Sequence, residues 1–418
     1  MKFLSFATIF AAASGFILLW LVAGALGQER TAEFAAYWGL FFALTGLLDG
    51  LMQETTRAVS AARKHQPKTA RPLKLGTLLA ISTAVLVIGT GPFWIGLLLS
   101  SYHSSAVVLM AIGLVSYTYQ AVLSGALSAM QLWKQYAWLV VLDSGIRLAI
   151  VVVAWLFSWG LFAYIFVTVI GACSWLVILG CSQPARMALR QPTDVDPPQF
   201  ARRVAATMTA TGASAALITG FPTLVKATSH ESVGASVTLG GIIIAITLTR
   251  APILVPLQRF QSALIVRFLH RPKALLQPLA LVFGAGVIGA GAAWLIGPWI
   301  MQVFFRPDMF VPGEILAVLT FASACTGALM ITGTAVLAHE QHRLYVGGWV
   351  LATVVAFGCL LLPFDLAVRV CLALTIGPLL GVIAHAGVLF ATHQKTSPSA
   401  SGQSSSSSSS GGGCSPRN

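Results

Sequence analysis

Residues 248–261 read LTRAPILVPLQRFQ, closing the apolar run GGIIIAITLT and breaking it with Arg250, Pro252 and Pro256. Lipid supplies neither a counter-charge nor partners for freed backbone groups. A charge at mid-membrane costs at least ~2.5 kcal/mol. Each proline frees the carbonyl four residues earlier, here Leu248 and Pro252. Arg259 follows nine residues after Arg250, about 13 Å along a helix, so the two cannot share one membrane interface. Such a stretch is stable inside a bundle, beside a wet cavity or other polar groups. Snorkelling of Arg250 toward the inner surface is the alternative, and a charge beside two prolines suits a hinge and an anion site in a wet cavity.

The rest of the chain fits that choice. Of 418 residues, 57% are hydrophobic and 9% charged, and mean hydropathy is +0.84. These values exclude an ordinary water-soluble protein. Continuous apolar runs of membrane-spanning length predict helices, whereas a barrel would show short alternating strands. Twelve spans are expected, at about 4–26, 34–56, 75–100, 105–130, 136–157, 160–181, 203–226, 233–258, 275–304, 313–337, 344–363 and 366–391. MKFLSFATIFAAASGFILLWLVAGAL at the start is too long in its apolar part for a usual signal peptide and is read as the first span. With the N-terminus in the cytoplasm, twenty of the 25 Lys and Arg fall on the inner side and four outside. That bias sets the orientation and explains the net charge of +13 without nucleic acid.

The two halves show traces of duplication. Gly91-Pro92-Phe93-Trp94 matches Gly297-Pro298-Trp299, and GALSAMQLWKQY matches GTAVLAHEQHRLY with Gly125 on Gly333. Six spans per half make both halves enter from the same side, with a pseudo-twofold axis along the membrane normal. The expected organisation is an N-terminal six-helix lobe (1–184), a charged, proline-rich cytoplasmic linker (185–200), a C-terminal six-helix lobe (201–395) and a disordered Ser/Gly-rich cytoplasmic tail (396–418). Paired bundles around a central cavity are the architecture of alternating-access transport.

Catalytic and cofactor signatures are weak or absent. GAGVIG at 284–289 sits within a span with no strand before it, so its glycines serve helix packing. HEQHR is one residue short of the zinc-protease spacing, no Walker A sequence occurs, and the six cysteines contain no CxxC. No outer loop is long enough for a catalytic domain. The reading is a non-enzyme with no cofactor and no metal site.

Charges inside the spans carry the functional reading. Asp49, Gln53 and Arg57 recur at i, i+4 and i+8, forming one polar stripe on the second helix, with Glu54 beside it. Asp49 lies deepest and is the candidate titrating group, whereas Glu54 and Arg57 also suit an interfacial pair. Asp143 and Arg147 are four apart on the fifth span. They form a neutralising pair, and Arg147 is also placed to meet an anionic group. Arg250 is the leading cationic candidate, and Pro252 and Pro256 are the candidate hinge.

Three stretches carry a family resemblance: ALGQERTAEFAAYWGLFFALTGLLDGLMQETTR, GALSAMQLWKQYAWLVVLDSGIRL and LTRAPILVPLQRFQSALIVRF. They resemble the first hairpin, the helix 4–5 turn and the eighth helix of the MOP (multidrug/oligosaccharidyl-lipid/polysaccharide) flippase superfamily. The likeness is greatest to its Wzx-type polysaccharide-exporter branch. The resemblance implies two six-helix lobes forming a V around a cationic cavity lined by helices 2 and 8. It also implies basic residues that hold the diphosphate of a polyprenyl-linked saccharide, and lobes that rock to expose it to the other face. Carried over by position, Arg250 comes first, then Arg147 and Arg57. The expected partners are a lipid-linked saccharide, membrane lipids and cell-envelope glycosyltransferases or a polymerase. The expected place is the bacterial plasma membrane. Two alternatives stay open: an ion-coupled exporter of cationic small molecules, whose cavity acids would dominate, and a non-transporting scaffold for envelope synthesis, indifferent to loss of Asp49 and Arg250.

Overall fold

The computed structural model describes residues 2–63, 68–229, 237–270, 275–338 and 341–395. The tail at 396–418 lies outside them. The described chain is helical throughout: α1 (Lys2–Ala62), α2 (Pro72–Leu98), α3 (His103–Ala129), α4 (Trp133–Leu156), α5 (Leu161–Ile170), α6 (Ser174–Cys181), α7 (Gln183–Leu189), α8 (Pro197–Ile218), α9 (Phe221–Thr228), α10 (Leu239–His270), α11 (Leu276–Phe304), α12 (Gly313–Ala338), α13 (His342–Leu360) and α14 (Leu366–Lys395).

Nine helices among the described residues are long and apolar enough to cross a membrane. One of them, the apolar part of α1, runs 57 residues, which at 1.5 Å per residue is nearly three times a bilayer's ~30 Å, too long for one span and enough for two. The break is Gly27, at φ 75° and ψ 175°. Only glycine adopts that region freely, so the loop expected at 27–33 shrinks to one residue. The seventh span also differs from one straight helix. It is α8 and α9, bent by 57° across Thr219 and Gly220. The sixth is α5 and α6, joined by a 3₁₀ turn at Gly171–Cys173. The eighth span, expected at 233–258, corresponds to α10, whose shorter apolar part is Leu239–Leu254, residues 233–236 lying outside those described, so each of the twelve expected spans has a helix in the described chain. The molecule is an all-α, multi-pass membrane protein.

Burial follows the duplicated motifs. In α3 and α12, 61% and 78% of the apolar window is buried, against 22% and 11% in α2 and α11. Each Gly-Pro segment therefore lies on a peripheral helix, and its glycine packs on the central helix beside it: Gly91 on Val107, Gly297 on Leu316. The exposed faces of α2 and α11 are Leu, Ile, Val and Trp, as lipid contact requires. One buried cluster is drawn from residues 18–172, and another almost wholly from residues 210–374.

The halves meet chiefly where the second arm of α1 lies along α8. The approach is close because glycines line it. A Cβ on Gly46 would stand 2.6 Å from Ala215 Cβ, and one on Gly50 would strike the backbone of Thr207 and Met208. Thr211 Oγ1 donates across the seam to the Leu47 carbonyl at 3.1 Å. Gly50→Ala is expected to wedge the helices apart and cost about 1–3 kcal/mol, read as a lower thermal midpoint of the detergent-purified protein.

Candidate functional site

Two cavities flank one pair of aromatic rings. The first, about 360 Å³, lies between the halves. It is walled by Phe16, Trp20, Trp38 and Phe42 of α1, by Ile218 and Pro222 near the α8–α9 bend, and by α10 from Ile243 to Leu254, with Arg250 as its charged residue. Among the described residues no carboxylate lines it. Trp20 closes one side across the halves, its Nε1 donating to the Phe304 carbonyl at 2.7 Å.

The local structure explains how Arg250 tolerates burial. It is 7% exposed. Its Nη1 donates to the carbonyls of Ile218 at 2.9 Å and Leu217 at 3.4 Å. These are the last carbonyls of α8, which lack intrahelical partners and carry the negative end of the helix dipole. The guanidinium carbon lies 5.2 Å from the Phe221 ring centroid at the start of α9, a cation–π contact. Arg250 therefore fastens the bend. Its Nε and Nη2 have no hydrogen-bond partner, and among the described lining residues no carboxylate balances its charge.

The second cavity, about 390 Å³, lies within the N-terminal half, between both arms of α1, α3 and α4. Asp49, Asp143 and Arg147 line it together with Tyr117, Gln120 and Ser124. Tyr117 donates to Asp49 Oδ1 at 2.6 Å. Arg147 Nη1 donates to Asp143 Oδ2 at 3.0 Å, while Asp143 Oδ1 and Arg147 Nε stay unpaired. Trp38 and Phe42 line this cavity as well as the first, with ring centroids 4.6 Å apart. Arg147 sits over both rings, 5.9 Å and 5.0 Å from their centroids. Arg250 and Arg147 thus occupy the two sides of one aromatic partition. Among the described residues no group of three or more His, Cys, Asp or Glu converges as a metal site.

The remaining sequence candidates lie elsewhere. Arg57 lines neither cavity. Its guanidinium pairs with Glu54 at 2.6 Å and with both oxygens of Asp194 at 3.0 and 3.1 Å. Asp194 also faces Arg203 of α8 at 4.0 Å. The segment carrying Asp194 is pinned to the N-terminal half, since Lys68 N donates to the Thr193 carbonyl and Thr193 N to the Ala70 carbonyl. Gln53 is exposed and apart from both cavities. Pro252 and Pro256 lie on an exposed face of α10, whose helix runs unbroken through them. Asp194→Ala is expected to change thermal stability by about 1 kcal/mol or less, because Arg57 is 40% exposed and keeps Glu54. A thermal shift of purified protein checks this.

Tyr117, Gln120, Ser124, Trp38 and Phe42 escaped the reading of the sequence. The first three recur at i, i+3 and i+7 on α3, so they share a face. That polar stripe inside an apolar span was the available signal. The aromatic pair at i, i+4 is indistinguishable from core packing until its two cavities are seen.

No family model matches the chain. It is 39% identical over 390 residues to "Uncharacterized protein Rv1510" of Mycobacterium tuberculosis (strain ATCC 25618 / H37Rv), covering 92% of this chain and 90% of that one. It is 38% identical over 397 residues to "Uncharacterized protein Mb3654" of Mycobacterium bovis, covering 93% and 91%. Among solved structures it is similar to an inward-facing multidrug resistance MATE family transporter of the MOP superfamily (TM-score 0.71, 12% identity, 94% and 96% covered). It is also similar to the lipid II flippase MurJ in an inward closed conformation (TM-score 0.67, 14% identity, 94% and 88% covered). A third neighbour is a MOP superfamily transporter from Pyrococcus furiosus described by the reverse polarity of its binding pocket (TM-score 0.66, 13% identity, 94% and 96% covered). The chain belongs to one family with these mycobacterial proteins, and its fold is that of the MOP superfamily of transporters and flippases.

Proposed function

We propose that the protein is an alternating-access flippase for a polyprenyl-(pyro)phosphate-linked saccharide. It moves this substrate from the inner to the outer leaflet of the bacterial plasma membrane for cell-wall or surface polysaccharide assembly. The observation that carries this reading is Arg250: a buried cation, two of its nitrogens unpartnered, in a largely apolar and aromatic cavity between the halves. A diphosphate supplies the acceptors those nitrogens lack, and charge-assisted bonds of that kind are the strong ones. The apolar walls suit the first isoprene units, while the remaining tail stays in the bilayer. Two lobes, 1–184 and 201–395, joined by the linker at 185–200, rock about the helix seam, with the Pro252–Pro256 region as the hinge. Both termini lie in the cytoplasm, as the Lys and Arg bias favours.

A second reading, export of cationic small molecules, draws on Asp49 and Asp143 in the other cavity. Arg147 neutralises Asp143 there, and the described lining of the cavity between the halves has no acid, so the flippase is preferred. Reconstitution in vesicles with a fluorescent prenyl-diphosphate-linked sugar, with a quencher added outside, tests the proposal. Protein-dependent loss of protection of the inner-leaflet probe is expected. An unchanged protected half, together with efflux of an organic cation, would favour the exporter.

A further inference from the structure

We propose that the cavity within the N-terminal half is a saccharide subsite. It holds the neutral sugar next to the diphosphate while the diphosphate itself lies at Arg250. The inference rests on the flippase reading and adds the ligand of a cavity that reading leaves unused.

The two cavities share a wall. Trp38 and Phe42 line both, so a headgroup at Arg250 has its first sugar against this partition and reaches the inner cavity as the two rings turn aside. The linings then differ as diphosphate-lipid and sugar differ. The cavity between the halves offers one cation and the hydroxyls of Thr31, Thr219 and Thr247 among largely apolar side chains. The inner one offers a scatter of donors and acceptors, from Asp49, Tyr117, Gln120, Ser124, Asp143 and Ser144. Carboxylates, amides and hydroxyls spread around a cavity match the hydroxyls spread around a pyranose ring, and aromatic faces cover its C–H face. The volume, about 390 Å³, falls within the range of small-ligand pockets.

Buried polar atoms without partners line this cavity as well as the first. Ser14 Oγ, Asp143 Oδ1 and Arg147 Nε are all buried without partners, and their residues all line this cavity. A buried group left unpaired costs about 1–3 kcal/mol, a cost that a polyol reaching these residues relieves as side chains turn toward it.

The charge pattern narrows the class. A cation site needs several oxygens converging on one point. Here each carboxylate has its own donor, Tyr117 for Asp49 and Arg147 for Asp143. The Asp143–Arg147 pair cancels, and Asp49 remains as an acceptor that repels acids. The sugar is therefore neutral, not a uronic acid.

Saturation-transfer NMR on the full-length protein in lipid nanodiscs tests this with four probes: methyl α-D-galactopyranoside, methyl α-D-mannopyranoside, methyl α-D-glucuronide and farnesyl diphosphate. Transfer to at least one neutral pyranoside is expected, and the glucuronide signal should be weaker by about fivefold, the worth of one hydrogen bond. Gln120→Ala with Ser124→Ala should lower pyranoside transfer and spare farnesyl diphosphate. Arg250→Ala should do the reverse. If the double variant fails to fold, Ser144→Leu, which fills the cavity, takes its place. Farnesyl diphosphate binding with no transfer to either neutral pyranoside would overturn the subsite and leave the flippase reading standing. Pyranoside transfer without farnesyl diphosphate binding would uphold the subsite and remove the flippase reading. Pyranoside transfer unchanged in both cavity variants, or a cavity response to sodium chloride in place of sugar, would also overturn the proposal.

Discussion

Arg250→Ala is expected to abolish headgroup translocation while most of the protein stays folded. The side chain does two things. Through Nη1 it holds the Ile218 and Leu217 carbonyls at the α8–α9 bend. Through Nε and Nη2, which have no partner, it offers two donors toward an anion. Losing one charge-assisted bond removes about 1.5–3 kcal/mol, roughly ten- to a hundred-fold in binding. Losing the buried charge also removes the one cation among the described residues that line this cavity. Arg250→Lys separates the two roles. Lysine keeps a charge and can still reach a carbonyl, but it lacks the planar fork that grips two phosphate oxygens. It should restore thermal stability to near the parent while recovering only part of the translocation rate in the fluorescent prenyl-diphosphate assay. Full activity in Arg250→Ala would remove the flippase assignment. A parallel loss of stability and transport in both variants would reduce Arg250 to a clamp on the bend.

Arg147→Ala should be the most destabilising single change at the site. Arg147 and Asp143 have side chains 7% and 18% exposed and are joined at 3.0 Å. Removing one member of a buried pair leaves a charge without compensation and costs about 3–5 kcal/mol. The guanidinium also covers Phe42 and Trp38 and packs against Gly171. Its loss therefore loosens the partition as well as the pair. The double variant Asp143→Asn with Arg147→Gln removes both charges and should recover much of the stability lost in Arg147→Ala, because neither remaining group is ionised. Thermal midpoints of the detergent-purified single and double variants, compared in a double-mutant cycle, give the coupling. Additive losses would mean that the two charges are separately solvated and that the pair has no structural weight.

The helices were legible in the sequence for a simple reason. In lipid the backbone must satisfy itself, so span positions follow from apolar length alone. The same one-dimensional logic located the Gly-Pro segments of both peripheral helices and placed a charge at Arg250. Breaks were less legible. Gly27 and the Thr219–Gly220 bend depend on one or two backbone angles, which hydropathy averages over. The stripe Asp49, Gln53 and Arg57 illustrates a different limit. Helical spacing puts the three on one face, but it does not say what that face meets along its length. Asp49 meets Tyr117 in a cavity, Gln53 is exposed, and Arg57 meets Glu54 and Asp194.

By itself, then, the sequence determined a multi-pass helical bundle, its twelve spans and the need for a polar interior around Arg250 and the Asp143–Arg147 pair. Each of these follows from local apolar length or from the cost of a charge in lipid. Only the tertiary structure decided that Arg250 caps the end of α8, that Arg57 pairs with Asp194, 137 positions away, as well as with Glu54, and that Trp38 and Phe42 divide a polar cavity from a largely apolar one. Those outcomes depend on which helices touch, and contact between helices distant in sequence is set by packing in three dimensions, which no spacing within a single helix encodes.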